Sequence, residues 1–311
     1  MQRLFHRDTV PDELRGGVIA LGNFDGFHRG HQAVAARAVH HAHDDSRPII
    51  IATFDPHPVR HFQPDAPPFR LTTLDQREEL FGEAGADAMM VFEFGDELAG
   101  TAAESFIEDI LLDRFGVAGV VTGNDFVFGK GRRGDVVMLA EFAKERGFFT
   151  EIAAPVNEGE AIVSSSRIRD ALKAGDCETA THLLTRPFTI EGTVEHGAKQ
   201  GRKLGYPTAN IRLDSYIRPK YGIYAVRGRL PDGRTLNGAA NLGIRPSFDP
   251  PTELLEPHFF DFDGDLYGQT IAVEMVSFIR AEAKFDSLDA LKAQMAEDCA
   301  EAERRLTRHI L

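Results

Sequence analysis

The sequence predicts an α/β domain built on a parallel sheet, followed by an antiparallel β domain closed by one helix. In the first half of the chain, short apolar runs alternate with helix-patterned segments. After about Arg186, brief strand-like runs between Gly, Pro and Asp turns replace them. At the end, Leu288, Leu291, Met295, Cys299, Ala302 and Leu306 recur at spacings of three and four, the stripe of an amphipathic helix.

Taken in order, Val18–Leu21, Ile49–Thr53, Met89–Phe94, Val117–Thr122 and Phe148–Ala153 read as strands. Helical patterns fall at about 30–43, 73–84, 101–115 and 135–146 between them. This alternation implies βαβ units and a parallel sheet covered on both faces. Ligands of such sheets bind beyond the carboxyl ends of the strands. Three polar, Gly/Pro-punctuated turns fall there: "GNFDGFHRGHQ" (Gly22–Gln32), "TFDPHP" (Thr53–Pro58) and "TGNDFVFG" (Thr122–Gly129). Further on, "FTIEGTVEHG", "YGIYAVRGRL", "LNGAANLG", "EPHFFDFDGDLYG" and "TIAVEMVSFIR" read as strands, with "PDGR" and "FDGD" as hairpin turns. They predict an antiparallel barrel or sandwich. The expected division is residues 1–185 and 186–311.

The chain has 311 residues, enough for two domains, and is 42% hydrophobic and 27% charged, as globular proteins are. A net charge of −13 argues against nucleic acid or an anionic membrane as partner, so an anionic ligand must meet local positive groups. Cys177 and Cys299 form no CxxC pattern and fit a reducing compartment. The opening "MQRLFHRDTVPDELRGG" lacks the apolar region of a secretory signal, and no apolar run approaches the ~18 residues of a membrane span. A cytoplasmic location is expected, and a homo-oligomer is left open.

In the first turn, Gly22 and Gly26 permit a sharp bend and close approach to a ligand. A helix starting near His31 offers free N–H groups and a positive dipole end, a natural phosphate site. His28 and His31, three apart, can face one anion and donate hydrogen bonds to its oxygens. A tight turn with two surface histidines is the plainer reading. The buried strand before it and the "FDG" within it favour nucleotidyl transfer. The chain has no GxGxxG, and in "GNDFVFGKG" Gly131 stands where a Walker loop needs Ser or Thr. "DFDGD" has its glycine two positions early for a calcium loop, and "HHAH" (His40–His43) reads as a solvated helix end.

"GNFDGFHRGHQ", "TFDPHP", "TGNDFVFGKGRRGD", "SSSRIR", "GRKLGYPTANI", "YGIYAV", "NLGIRPSF" and "FDFDGDLYG" occur in this order. With them the chain resembles the bifunctional riboflavin kinase/FAD synthetase family of bacteria, from about Val18 to the last helix. The resemblance implies an N-terminal FMN adenylyltransferase of Rossmann-like nucleotidyltransferase fold, then a flavokinase β-barrel with a C-terminal helix. It implies riboflavin, FMN and FAD as substrates and products, with ATP and Mg2+.

Carried over by motif, Gly22, Phe24, Asp25, His28 and His31 would hold ATP for adenylyl transfer, and Ser164, Ser165, Arg167 and Arg169 would hold its phosphates. Phe54, Pro56, His57, Asp125 and Phe126 would meet FMN, although Phe54 and Phe126 also suit core packing. Gly197, Lys199, Gly201 and Lys203 would form a flap over the kinase ATP. Thr208 and Asn210, facing the same way in "PTAN", would meet magnesium and phosphate. Glu256 would be the general base for the ribityl hydroxyl; its spacing to His258 favours it over Glu253. The sequence departs from the family pattern at Val127, Ser166, Ile244 and Ser247. A nucleotidyltransferase for another phosphorylated acceptor, and a flavin-binding regulator without catalysis, are the competing readings.

Overall fold

Val18–Leu21, four consecutive buried residues, becomes the centre of a parallel sheet, because a strand covered on both faces has no polar side. The computed structural model describes residues 1–196, 205–245 and 252–308. The chain divides into two units, Met1–Pro67 with Thr72–Ser164 and Pro68–Leu71 with Ser165–Leu311.

The sheet of the first unit contains β1 (Gln2–Phe5), β2 (Val18–Leu21), β3 (Ile49–Asp55), β4 (Ala88–Glu93), β5 (Gly119–Gly123) and β6 (Phe149–Ala153). Their order is β1-β4-β3-β2-β5-β6, with every pairing parallel. Ile19, Leu21, Ile50, Ala52 and Val120 point to one face, among Ile107, Leu111, Phe115 and Leu139. Val18, Ala20, Ile49, Ile51 and Val121 point to the other, among Val34, Ala35, Ala38 and Phe81. The covering helices carry local signals. Thr73 and Gln76 form a capping box on helix Leu74–Glu83, and Asp135 caps Val136–Arg146, which ends at left-handed Gly147. The expected helix over 101–115 is instead Ala103–Ser105 continued as a π-helix over Phe106–Arg114. The edge strand β1 was not expected; "QRLF" is too short and polar to signal one. A hairpin of β7 (Asn157–Glu158) and β8 (Ala161–Ile162) completes the unit.

The second unit contains β9 (Phe188–Thr193), β10 (Ile211–Arg212), β11 (Gly222–Arg229), β12 (Thr235–Arg245), β13 (Thr252–Phe259) and β14 (Thr270–Arg280). They pair antiparallel in the order β10-β13-β12-β11-β14-β9. Past the end of β9, Glu195 bridges Asn210, its N–H donating to the Asn210 carbonyl at 2.9 Å. The two edges therefore meet, and the architecture is a barrel rather than a sandwich. Helices Ser165–Ala174 and Cys177–Leu184 pack with this unit: Ser277 Oγ donates to Glu178 Oε1 at 2.7 Å, and Lys220 N–H donates to Leu172 O at 3.0 Å. The boundary between these compact units falls between Ser164 and Ser165, and the expected domain division at 185/186 falls where the last of these helices ends. In the final helix, Leu288–Arg308, Ala302 and Leu306 pack on Ala225, Ala239 and Val276, while Leu288 at its start is exposed.

Candidate active sites

In the first unit, β2 continues to β3 on one side and borders β5 on the other, so the turns after β2 and β5 flank a topological switch point. Phe24 (φ +48°), Gly26 (φ +86°) and Phe27 (φ +41°) are left-handed, a conformation that costs non-glycine residues free energy and persists only where its surroundings hold it. The holding groups are visible. Asp25 is buried and accepts from Thr72 N–H at 3.0 Å, while Gly26 N–H donates to Thr72 Oγ1 at 2.9 Å. The Phe24 ring is buried against Phe27 and Phe81, so its side chain is a core wedge, folded over the position a Gly22 side chain would take.

His28 is the N-cap of helix Arg29–Asp44. Its Nδ1 accepts from the Gly30 and His31 amides at 3.2 and 3.4 Å. An Nδ1 that accepts cannot carry the proton, so in the neutral ring Nε2–H is the donor. His31 stacks on it with ring centroids 3.7 Å apart. Gly30 leaves room for this, since a Cβ there would stand 3.1 Å from the His28 ring.

The neighbouring turns are tied to this one. Thr53 Oγ1 donates to Asn23 O at 2.7 Å, and Thr122 Oγ1 to Leu21 O at 3.0 Å. Arg77, 2% exposed, donates from Nη1 to Thr53 Oγ1 at 2.6 Å and to Asn23 O at 3.4 Å, with Nη2 3.7 Å from Asp55. Sequence reading missed Arg77; it lies mid-helix in an ordinary charged stretch. Phe54 stacks on Phe92 in the core, Phe126 on Phe128, and His57 caps helix Pro58–Phe62 beside Pro56. Asp125 is exposed in the turn after β5. Ser164 ends the first unit. Ser165, Arg167 and Arg169 lie on the first helix of the second, where Arg169 Nε donates to Phe69 O at 2.8 Å and its guanidinium covers the Phe69 ring.

In the barrel, Ile211 pairs with Leu255, and Ala209 N–H donates to Pro257 O at 2.9 Å. This register sets Asn210 opposite Glu256, which on its other side lies opposite Asn241. Residues opposite one another project to the same face, so Asn210, Glu256 and Asn241 form one row. Thr208 lies two residues before Asn210, and His258 Nδ1 donates to the carbonyl of Pro207 next to it at 2.8 Å. Leu242 and Leu255 fill the other face of these strands. Glu253, three residues from Glu256, falls on that opposite side. It is also occupied: Arg218 Nε donates to it at 2.6 Å, and Tyr221 Oη donates too. Burial raises the proton affinity of Glu253, but those hydrogen bonds and the Arg218 charge hold its carboxyl below the usual range. Burial and Glu253 push the Tyr221 hydroxyl up to about 12, so it stays a donor. Glu256 instead forms an ion pair with Arg245, which sequence reading left unassigned within "NLGIRPSF". Ile244 is exposed on the face away from the row. Gly197, Lys199, Gly201, Lys203 and Ser247 lie outside the described residues.

The first unit is thus an α/β ligand-binding protein with its polar turns gathered at the switch point, and the second a nearly closed barrel with a carboxylate beside a Thr-x-Asn segment. A family model for FAD synthetase matches residues 10–167, and one for riboflavin kinase matches residues 184–306. The bifunctional riboflavin kinase/FMN adenylyltransferase of Haemophilus influenzae is 38% identical over 93% of this chain and 94% of its own. That of Pseudomonas fluorescens is 40% identical over 97% of each. A crystal structure described as a macrolide-efflux protein from Streptococcus pneumoniae is 29% identical and superposes with a TM-score of 0.86, covering 96% of this chain and 97% of that one. Among the described residues no helix is long and apolar enough to cross a membrane. The chain belongs to the bifunctional riboflavin kinase/FMN adenylyltransferase family. It converts riboflavin to FMN and FMN to FAD, with ATP as the second substrate of each step.

Proposed function

We propose that the two reactions run on two separate sets of residues. In adenylyl transfer, an FMN phosphate oxygen attacks the α-phosphorus of ATP. The bond from that phosphorus to the bridging oxygen breaks, and pyrophosphate leaves with the electron pair. His28, through Nε2–H, and His31 stabilise the charge that develops on the departing oxygens. The backbone at Gly22, Phe24 and Asp25 shapes the nucleotide turn. Ser164, Ser165, Arg167 and Arg169 take the phosphates, and Phe54, Pro56, His57, Asp125 and Phe126 border the flavin.

In phosphoryl transfer, the riboflavin 5′-hydroxyl oxygen attacks the γ-phosphorus, its proton passes to the Glu256 carboxylate, and ADP leaves. Thr208 Oγ1 and the Asn210 amide oxygen are neutral hard donors that would hold Mg2+ beside the ATP phosphates. That ion, when bound, would neutralise phosphate charge. Gly197, Lys199, Gly201 and Lys203, by their motif, are assigned to the kinase ATP phosphates. The observation that carries the kinase assignment is the barrel register, with Glu256 and Asn210 side by side and Glu253 facing away. The free thiols of Cys177 and Cys299 fit a cytoplasmic enzyme of small-molecule substrates.

The two glutamates test the reading. Glu256→Gln should lower kinase turnover by about 10²-fold or more with little change in riboflavin Kd. Glu253→Gln should leave turnover within a few-fold. Near-normal FMN production by Glu256→Gln would remove it as base.

A further inference from the structure

In the first unit, the turn after β2 and the turn after β3 are fastened to each other by buried side chains. β2 and β3 pair in register as far as Leu21 and Ala52, while β3 continues beside β4 to Asp55. Asn23 has therefore left the sheet at a level where Thr53, Phe54 and Asp55 are still in it. Its carbonyl is taken up by side chains: Thr53 Oγ1 donates to Asn23 O at 2.7 Å, and Arg77 Nη1 donates to the same oxygen at 3.4 Å. Thr53 is fully buried, and so is nearly all of Arg77. Arg77 Nη1 also donates to Thr53 Oγ1 at 2.6 Å and to Phe54 O at 3.5 Å, and its Nη2 lies 3.7 Å from Asp55 Oδ1. A guanidinium only donates, so the Thr53 hydroxyl accepts from Arg77 and gives its own proton to Asn23. The direction of both bonds is fixed.

We propose that Arg77 is a positioning residue of adenylyl transfer: through the Thr53 hydroxyl it sets the turn that leads to His28 and His31 against the turn that carries Phe54, Pro56 and His57. This rests on the reading that those two turns hold ATP and FMN. In-line attack brings an FMN phosphate oxygen to the α-phosphorus on the side opposite the leaving pyrophosphate. The two substrates must therefore be placed by parts that do not drift, since a misplacement of about 1 Å costs on the order of 10²-fold. Asn23 is followed at once by left-handed Phe24, Gly26 and Phe27, a stretch that keeps its shape only where its surroundings hold it. Thr72 holds its middle through Asp25 and Gly26. Thr53 and Arg77 hold its start. An apolar side chain would suffice to pack helix Leu74–Glu83 against β3. Arg77 instead places a cation near the N-terminus of that helix, where the dipole disfavours it, and buries it at a desolvation cost. A group unfavourable for packing alone fits a role in the site.

The test is the steady-state rate of FAD formation from FMN and Mg-ATP by the full chain, at a temperature below the melting transition of every variant compared. Thr53→Val keeps the shape of the side chain and removes the hydroxyl. Its kcat should fall by about 10–10²-fold, with the KM of each substrate within about threefold of the parent. Thr53→Ser restores the hydroxyl and should return most of the rate. Arg77→Lys keeps the charge but offers one ammonium where a planar fork met Thr53, Asn23 and Phe54, and should lower kcat by about tenfold with little change in KM. Arg77→Met should lower it further; if it does not fold, the other three variants still decide. Riboflavin phosphorylation by the same samples should stay at the parent rate. A bond that serves stability alone would lower the melting temperature of Thr53→Val and leave the kcat of the folded chain untouched. A kcat within about twofold of the parent in folded Thr53→Val and Arg77→Lys overturns the proposal. So does a loss seen in KM alone, a loss that Thr53→Ser does not relieve, or an equal loss of both reactions. Normal FAD formation by His31→Ala overturns instead the reading of the turns on which the proposal rests.

Discussion

His28 caps its helix through Nδ1 and keeps Nε2–H free of that bond, so in the proposed reading the residue that builds the helix start also donates to the anion there. The spacing of the two histidines was legible in the sequence. The capping role and the packing reason for Gly30 were not, because both depend on how the ring folds back over the turn. Arg77 was illegible for the same reason, since burial alone separates it from a solvated arginine. His6 is buried with its Nδ1 accepting from Glu93 N–H at 3.1 Å. Burial, and then the Arg7 charge, lowers its pKa from 6.5, with Glu93 opposing. Above that value His6 is neutral in both folded and unfolded chains. As pH falls below it, the unfolded chain takes up the proton first and stability is lost. His6→Asn keeps an acceptor but does not titrate. Its melting temperature should fall less steeply than the parent's as pH drops below 6.5. An unchanged slope would assign the acid sensitivity elsewhere.

Strands and helices followed their sequence signals wherever burial is two-sided or caps are present. β2, β3 and β5 stood out as apolar runs, but β1 did not, because it pairs along one edge only. The final helix was legible as a stripe, yet its buried face includes Asp298, which a stripe argument excludes. Arg280 explains it, donating from Nε and Nη2 to the two Asp298 oxygens at 2.7 and 2.6 Å, and Gln294 adds a bond at 3.2 Å. Asp298→Ala strands a largely covered guanidinium and should destabilise the second unit by about 2–3 kcal/mol in denaturant unfolding. The double variant Arg280→Met/Asp298→Leu should recover much of that loss. Full stability of the single variant would mean that the pair holds nothing.

At the scale of the whole molecule, the order of the two activities was written in the motifs, because each lies at a strand end or in a turn that short sequence fixes. The division between the units was less legible. Helices Ser165–Ala174 and Cys177–Leu184 carry ordinary amphipathic patterns that do not say which core they cover, and the contacts of Glu178 and Leu172 assign them to the barrel unit. The FAD synthetase match ends at 167 and the riboflavin kinase match begins at 184, so these helices lie largely between the two. The central claim is that each reaction has its own set of residues. The most direct measurement of it takes one preparation of His31→Ala and assays both reactions, with flavins separated by chromatography. FAD formation from FMN should fall by about 10²–10³-fold, the cost of one transition-state donor, while FMN formation from riboflavin stays at the parent rate. An equal loss of both activities would contradict the claim and make the turn a determinant of folding rather than of chemistry.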